Sequence, residues 1–561
     1  MTTKPATEIE VKAFHHTLIW PLLMRGEAVG ADNSIDRFVK AFEGAGWTEQ
    51  THYASAVHAD HGYPEIVYFH PFVRDFLFGD GEADHKKRAI RRFTRQGNPV
   101  TGVDISINTG RTPLQDVFNV LLRVERTELL LIRPLIAILV IEVSNRKTGV
   151  AQGPDPKLDD PRTSLTLDQV QFLQSQLRHI YPPYFDAWTQ AHGDCPRKVE
   201  WLGLVQPPSL NSNSQPAEFD AFVRPGAEPP MYAHWRAFFG QTVQPLSSAA
   251  DRKGDGLFLQ QLLDDRMPAM SFVAVDDPAA IHLDDEDRFP AFDPPGLDYD
   301  PGFRGHLREA FRYTRFRHWD TTYYCNGTSF SMVCNTGSFS NLLLLHFRRQ
   351  YLHLGVIAHF QHAALLYFAD ELADIAKDLA GEDDEKSEYA WRVGIRKLQH
   401  KFLKFRTRSY FIEVSNQMQG KDLFRLWFDR LGTQALFDRV AQTSAEVYEA
   451  LENHEMLELT KSQKDLAEAQ NDLSKAQRDL AEIATWGLAI SIILTAASAV
   501  FAWVAIFPES ARANLTLSGS PIGSPWLALL LALSLSILSI ALLRHFSPAA
   551  WKRLQSSRNS T

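Results

Sequence analysis

Two uncharged stretches near the end of the chain, residues 483–508 and 513–543, limit what it can fold into more than any other feature. Each is longer than the roughly 20 residues that span a hydrocarbon core of about 30 Å at a helical rise of about 1.5 Å per residue. Trp486 and Trp503 bracket the first stretch and Trp526 opens the second, the placement expected of aromatic rings at the two water–lipid interfaces. The lipid bilayer is therefore an expected partner. The spans are expected at 483–507 and 526–543, joined by an extracytoplasmic loop at 508–525.

Charge sets the expected topology. The tail, 544–561, carries Arg544, Lys552, Arg553 and Arg558 with no acid, whereas the loop between the spans holds only Glu509 and Arg512. Short basic flanks stay in the cytoplasm. A hairpin then places both termini on that side of the inner (plasma) membrane. The first ten residues show no basic-then-apolar signal. Cys195, Cys325 and Cys334 are too few and too scattered for a disulfide framework or a thiolate metal site, and read as ordinary thiols.

Ahead of the hairpin the composition is that of a globular protein, 45% hydrophobic and 22% charged, and a net charge of -9 provides no basic footprint for nucleic acid. Residues 1–340 read as a cytoplasmic α/β domain with loop insertions. Strand-like runs at 65–69, 100–107 and 129–143 alternate with helix-like runs at 34–44 and 166–180. The apolar run 129–141 is short and is broken by Arg133 and Pro134, so it reads as two buried strands joined by a turn. Residues 206–230, rich in Pro, Ser and Asn, read as a loop. So does 276–300, where nine acids face only Arg288. Within it Asp284, Asp285, Glu286 and Asp287 would attract hard cations, but the spacing of a calcium loop is missing.

Residues 341–443 read as a helical section. Runs at 342–380, 389–408 and 423–440 carry apolar residues at three- and four-residue spacing, with breaks at Gly381 and Gly420. A stalk helix is expected from about Ser444 through 482, running on into the first span. In it Leu459, Leu466, Leu473 and Leu480 recur every seven residues, with Gln463, Gln470 and Gln477 offset by four. Leu at d with Gln at a gives a weak, hydrated seam rather than a tight zipper. The same stripe also suits an amphipathic helix that packs on its own domain.

The register continues into the span. Ala484, Ser491, Ser498 and Ala505 fall at a, and Leu488, Thr495 and Ala502 at e. A small, weakly polar face in lipid must meet protein or water. Ser491, Thr495 and Ser498 therefore either line a pore in an oligomer or form the seam between the two spans of one subunit.

The order of elements resembles the CorA-like magnesium transporter family: a cytoplasmic α/β domain, a helical section, a stalk helix, two C-terminal spans and a basic tail. Phrases similar to a divergent branch are RPLIAILVIEVS (133–144), HFRRQYLHLGVIAHFQHAALLYFADEL (346–372) and YFIEVSNQMQGKDLFRLWFDRL (410–431). The family's Gly-Met-Asn motif at the outer end of the first span is missing; residues 502–509 read AWVAIFPE. The resemblance implies a homo-oligomer, a pentamer, with first-span helices around its axis. Gln477, Ser491, Thr495, Ser498 and Glu509 are then the pore-lining candidates, and magnesium or another divalent cation is the transported or regulatory ion. The alternative is a membrane-tethered sensor or effector whose hairpin is an anchor and whose cytoplasmic domain binds a partner.

Nothing points to an enzyme or to a bound cofactor. Phosphate-loop and dinucleotide glycine patterns are missing, as are Gly-x-Ser-x-Gly and Ser-x-x-Lys. His346, His353, His359 and His362 lie in one expected helix, where His359 and His362 share a face, and His58, Asp60 and His61 form a second cluster. Histidines packed between helices are the expected reading of the first group.

Overall fold

The computed structural model describes residues 8–26, 34–51, 63–79, 84–95, 99–108, 117–145 apart from 134, 161–181, 196–204, 231–240, 243, 245–246, 256–293, 300–379, 385–506, and isolated positions between 516 and 545. It forms two compact units, Met1–Tyr448 and Glu449–Thr561.

A 14-stranded mixed sheet organises the first unit. Its strands are β1 (Glu10–Arg25), β2 (Thr48–Gln50), β3 (Ile90–Thr94), β4 (Gly102–Asn108), β5 (Val117–Ile132), β6 (Ile136–Ser144), β7 (Leu165–Thr166) and β8 (Pro196–Leu202). They continue with β9 (Pro245–Leu246), β10 (Phe258–Gln261), β11 (Ala269–Val275), β12 (Arg312–Tyr313), β13 (Thr322–Cys325) and β14 (Ser329–Asn335). The main order is β12-β13-β14-β11-β1-β6-β5-β3-β2. Pairing is antiparallel except for β11 with β14 and β10 with β9. The run at 129–143 is indeed two strands: β5 and β6 pair from Ile132↔Ile136 outward, and all nine residues of β6 are buried. Unbroken apolar runs of this kind mark strands covered on both faces.

Both faces are covered by helices. On one, Ile138, Val140, Phe272 and Phe330 share a core with α2 (Tyr63–Tyr68), α3 (Pro71–Phe78) and the helices beyond residue 340. On the other, Trp20, Leu139 and Val273 pack with α1 (Ser34–Gly44), α4 (Leu167–Gln176) and α5 (Ala233–Arg236). The chain then adds α6 (Leu283–Glu286), α7 (Pro301–Phe311), α8 (Ser340–His346), a π-helical turn at Phe347–Tyr351, α9 (Leu352–Leu379), α10 (Glu385–Arg408), α11 (Met418–Arg430) and α12 (Thr433–Ile506). Helices α9 and α11 bring Phe360, Phe368 and Trp427 into the first core.

Several expectations need correction. The expected strand at 65–69 is not formed: residues 65–68 belong to helix α2 and Phe69 to the bend after it. Pro64 suits a first helical turn, and Glu65 is drawn inward to Arg349, a tertiary contact that outweighs local β propensity. Gly420 is no break. It lies inside α11, where a Cβ would stand 2.5 Å from Tyr68 Oη, so only glycine allows that approach. The break between the second and third expected runs falls at 409–417 instead, and a further one at Gly432, whose φ of 64° follows α11, divides the expected 423–440 run, so the stalk helix starts at Thr433 rather than near Ser444. The loop at 206–230, the break at Gly381, Cys195 and the His58–His61 cluster lie outside the described residues.

In the second unit α12 runs on through Gly487 to Ile506. The expected outer loop contains the short pair Thr516–Leu517 with Ser520–Pro521. The described positions of the second expected span, such as Leu530, Leu533 and Ile537, are helical and exposed.

Candidate functional site

Among the described residues two helices are long and apolar enough to cross a membrane. Ser340–Ile375 is 83% buried in its most apolar window and forms core of the first unit, whereas Thr433–Ala502 is 6% buried there. The second carries the sequence-derived candidates. Gln477, Ser491, Thr495 and Ser498 are all exposed on α12, and Glu509 lies outside the described residues. Leu459, Leu466, Leu473 and Leu480 are also exposed, by 60–65%.

Cover along the span falls on one face, that of Trp486, Ala489, Ala496 and Val500. At 3.6 residues per turn, Ser491, Thr495 and Ser498 project roughly half a turn away. The three hydroxyl-bearing residues thus leave the covered face of this chain and occupy the open one. Two of the three hydroxyls are satisfied within the helix: Thr495 Oγ1 donates to Ser491 O at 2.7 Å and Ser498 Oγ to Leu494 O at 2.8 Å. Such back-bonding lets a hydroxyl enter lipid without another partner.

The first unit holds a buried charge network that the sequence reading did not single out. It sits where strands of one sheet face meet the π-helical turn. Glu142 on β6, 1% exposed, accepts from His15 Nδ1 at 3.0 Å and from Arg348 Nε. Arg126 on β5 lies 3.5 Å from its other oxygen and donates to Arg348 O at 2.8 Å. Next along the turn, Arg349 donates to Glu65 at 2.7 Å, with His353 at 3.8 Å from the same carboxylate. The wider π turn lets two consecutive arginines reach two different carboxylates. Burial opposes charge on Glu142, but Arg348, His15 and Arg126 outweigh it and hold the carboxyl well below the usual range. A group held that low has no proton to give near neutrality, so the network braces the helix layer against the sheet. The signal in the sequence was an Arg-Arg pair inside an apolar helix and a lone Glu in the LVIEVS strand.

The opposite sheet face carries a smaller polar row. His16 Nδ1 lies 2.7 Å from Ser271 Oγ, and Ser271 stands beside Ser331 in register. Burial and the Arg178 charge push His16 down to about 3, so it stays neutral. The pair is fully buried, which leaves a substrate no approach to the serine.

Within the acidic segment the four successive acids Asp284, Asp285, Glu286 and Asp287 belong to an ion-pair lattice rather than to a plain solvated loop, while 294–299 lie outside the described residues. Arg304, Arg308 and Arg312, four residues apart on or just after α7, meet Asp284 at 2.5 Å, Asp287 at 2.7 Å and Glu286 at 3.4 Å. Arg288 takes Asp285 at 2.5 Å and Tyr324 donates to Glu286 at 2.6 Å. Burial pushes the Asp285 and Asp287 carboxyls up against these charges. Each of these four acids is thereby paired with a protein cation. Among the described residues no three His, Cys, Asp or Glu side chains converge to hold a metal. His353 and His359 are buried in the helix layer, and burial pushes His359 down to about 3. Cys325 and Cys334 are free buried thiols, pushed up to about 12.

No family model, curated protein or solved structure matches this chain.

Proposed function

We propose that this is an integral membrane protein of the CorA-like kind, a homo-oligomer in which α12 helices surround a shared axis and admit a hydrated divalent cation such as magnesium. The observation that carries the reading is the open Ser491–Thr495–Ser498 face, turned away from the covered side of the span and continuous in register with Gln477. Small and hydroxyl-bearing residues suit close helix approach or a wet lumen. Magnesium dehydrates reluctantly, so hydroxyl and amide oxygens would contact its water shell rather than the bare ion. The basic tail supports cytoplasmic termini.

The test is magnesium uptake into proteoliposomes holding the full chain, with sodium and potassium as comparison ions. Uptake that Thr495→Leu reduces at least tenfold, in a variant that still reconstitutes, is the expected result. Absence of flux for every cation overturns it. One observation favours the second reading, a tethered sensor or effector: the Thr495 and Ser498 hydroxyls are already bonded within their own helix. In that case flux is nil and Thr495→Leu changes nothing.

A further inference from the structure

Between Glu388 and Glu413 the sequence places seven Lys and Arg residues and His400 but no acid, in a chain whose net charge is -9. All seven cations lie on α10. One side of that helix is committed to the fold, since Ile395, Leu398, Phe402 and Phe405 are buried in the core beside α9. At 3.6 residues per turn Arg396, Lys397, His400, Lys404 and Arg408 fall on the opposite side, and all five are exposed. Leu403 stands among them, 57% exposed.

Elsewhere in the first unit the arginines of a helix find acids, as Arg304 finds Asp284 and Arg308 finds Asp287. The cations of α10 differ. Among the described residues Lys397, Lys404, Arg406 and Arg408 form no ion pair and no side-chain hydrogen bond. Lys401 is drawn the other way, toward the core, where its Nζ donates to Tyr367 Oη at 3.1 Å. The helix dipole accounts for Arg406 and Arg408, because cations in a last turn lie beside free carbonyls. Lys397 and His400 lie too far back to gain from it. Lys404 and Arg408 stand four residues apart, a like-charge spacing that weakens a helix. An anionic surface outside the protein would turn that repulsion into attraction.

We propose that this face of α10 docks on an anionic phospholipid surface, with Leu403 entering between the headgroups. Interfacial helices follow the same plan, with Lys and Arg on the polar side and a large apolar residue inserted. Each Lys or Arg held near an anionic leaflet is worth roughly fivefold in affinity. An acidic protein segment would match the cations but gives the exposed leucine no cover. The proposal rests on the reading of α12 as a span, which would hold the chain at one bilayer and give a weak attraction a high effective concentration. The charge rule that assigns the tail to the cytoplasm assigns α10 to that side as well, where the leaflet is anionic.

The test places the full chain in nanodiscs of phosphatidylcholine alone and of equal parts phosphatidylcholine and phosphatidylglycerol. Acetylation of Lys397 and Lys404 by a water-soluble succinimidyl ester is followed by peptide mass spectrometry, with the exposed stalk residue Lys464 as reference. Rates at least about threefold slower in the anionic discs, restored by about 0.5 M sodium chloride, are expected. Changing Lys404→Gln, Arg406→Gln and Arg408→Gln together removes three exposed cations and should return Lys397 to its rate in phosphatidylcholine. Leu403→Gln keeps every charge and should recover part of that rate. Equal rates in the two kinds of disc overturn the docking. So does slowing that appears in phosphatidylcholine as well and grows with protein concentration, which would put a second copy over the face. A chain that fails to enter discs sinks the span reading instead, and flotation with preformed vesicles of the same two compositions then decides the face. Co-flotation with the anionic vesicles alone upholds it, and flotation with neither overturns it.

Discussion

Helices Ser340–Ile375 and Thr433–Ala502 pass the same test of length and apolarity for crossing a membrane, yet 83% of one apolar window is buried by protein and 6% of the other. The polar groups they carry differ in the same way. The first helix interrupts its apolar surface with Arg348 and Arg349, and both find carboxylates on other elements, Glu142 and Glu65. The second carries Thr485, Thr495 and Ser498, whose hydroxyls bond to carbonyls one turn back in the same helix. A helix whose polar atoms reach outward needs a folded partner around it. One whose polar atoms are satisfied internally does not, and is ready for lipid.

Four measurements on the full chain in detergent test that contrast. The largest effect is expected from acid. His16, His234 and His359 are buried neutral with values pushed down to about 3, below an unfolded value of about 6.5. The stability they contribute is complete above about pH 6.5 and is lost as pH falls from there through about 3. Glu142, also depressed, adds to the loss below the ordinary carboxylate range. Near-ultraviolet dichroism of the first unit should therefore collapse on acidification while the helical far-ultraviolet signal of the span persists. Parallel loss of both signals would erase the distinction.

Glu142→Ala comes next. It strands Arg348 and Arg126 in the interior, so unfolding stability should fall by about 3–5 kcal/mol. A loss below about 1 kcal/mol in denaturant titration would mean that water reaches the network. Gly420→Ala should cost about 1–3 kcal/mol, because a Cβ cannot share space with Tyr68 Oη. The smallest change is expected for Leu466→Ala on the exposed stripe, within about 0.5 kcal/mol for the isolated chain. A larger, concentration-dependent loss would instead show that a second copy covers that leucine.

Local pattern carried much of the architecture. The turn at Arg133 between two buried strands and the helix at 34–44 were legible because periodicity and apolar run length decide them. The Gly432 break, inside the expected run 423–440, was hidden because a positive φ leaves no mark on a sequence beyond the glycine itself. Helix α2 was misread because what fixes it, Arg349, lies 284 residues away. The acidic segment shows the same limit on a shorter scale, since Asp284 and Arg304 are separated by 20 residues. Of the span candidates, the sequence placed Ser491, Thr495 and Ser498 on one face, but only the cover on Trp486, Ala489, Ala496 and Val500 says which side that face takes.

The central position of β1 has a consequence for how the protein is made. One edge of the strand can pair with β6 early, but its other edge waits for β11, and His16 meets Ser271 across 255 residues. At about 5–20 residues per second, a ribosome takes roughly ten seconds to a minute to deliver that partner. Throughout that interval the nascent chain exposes an apolar strand edge of the kind that recruits other strands. Biogenesis of this protein should therefore depend on chaperone cover of its first 270 residues, well before α12 emerges to meet a membrane.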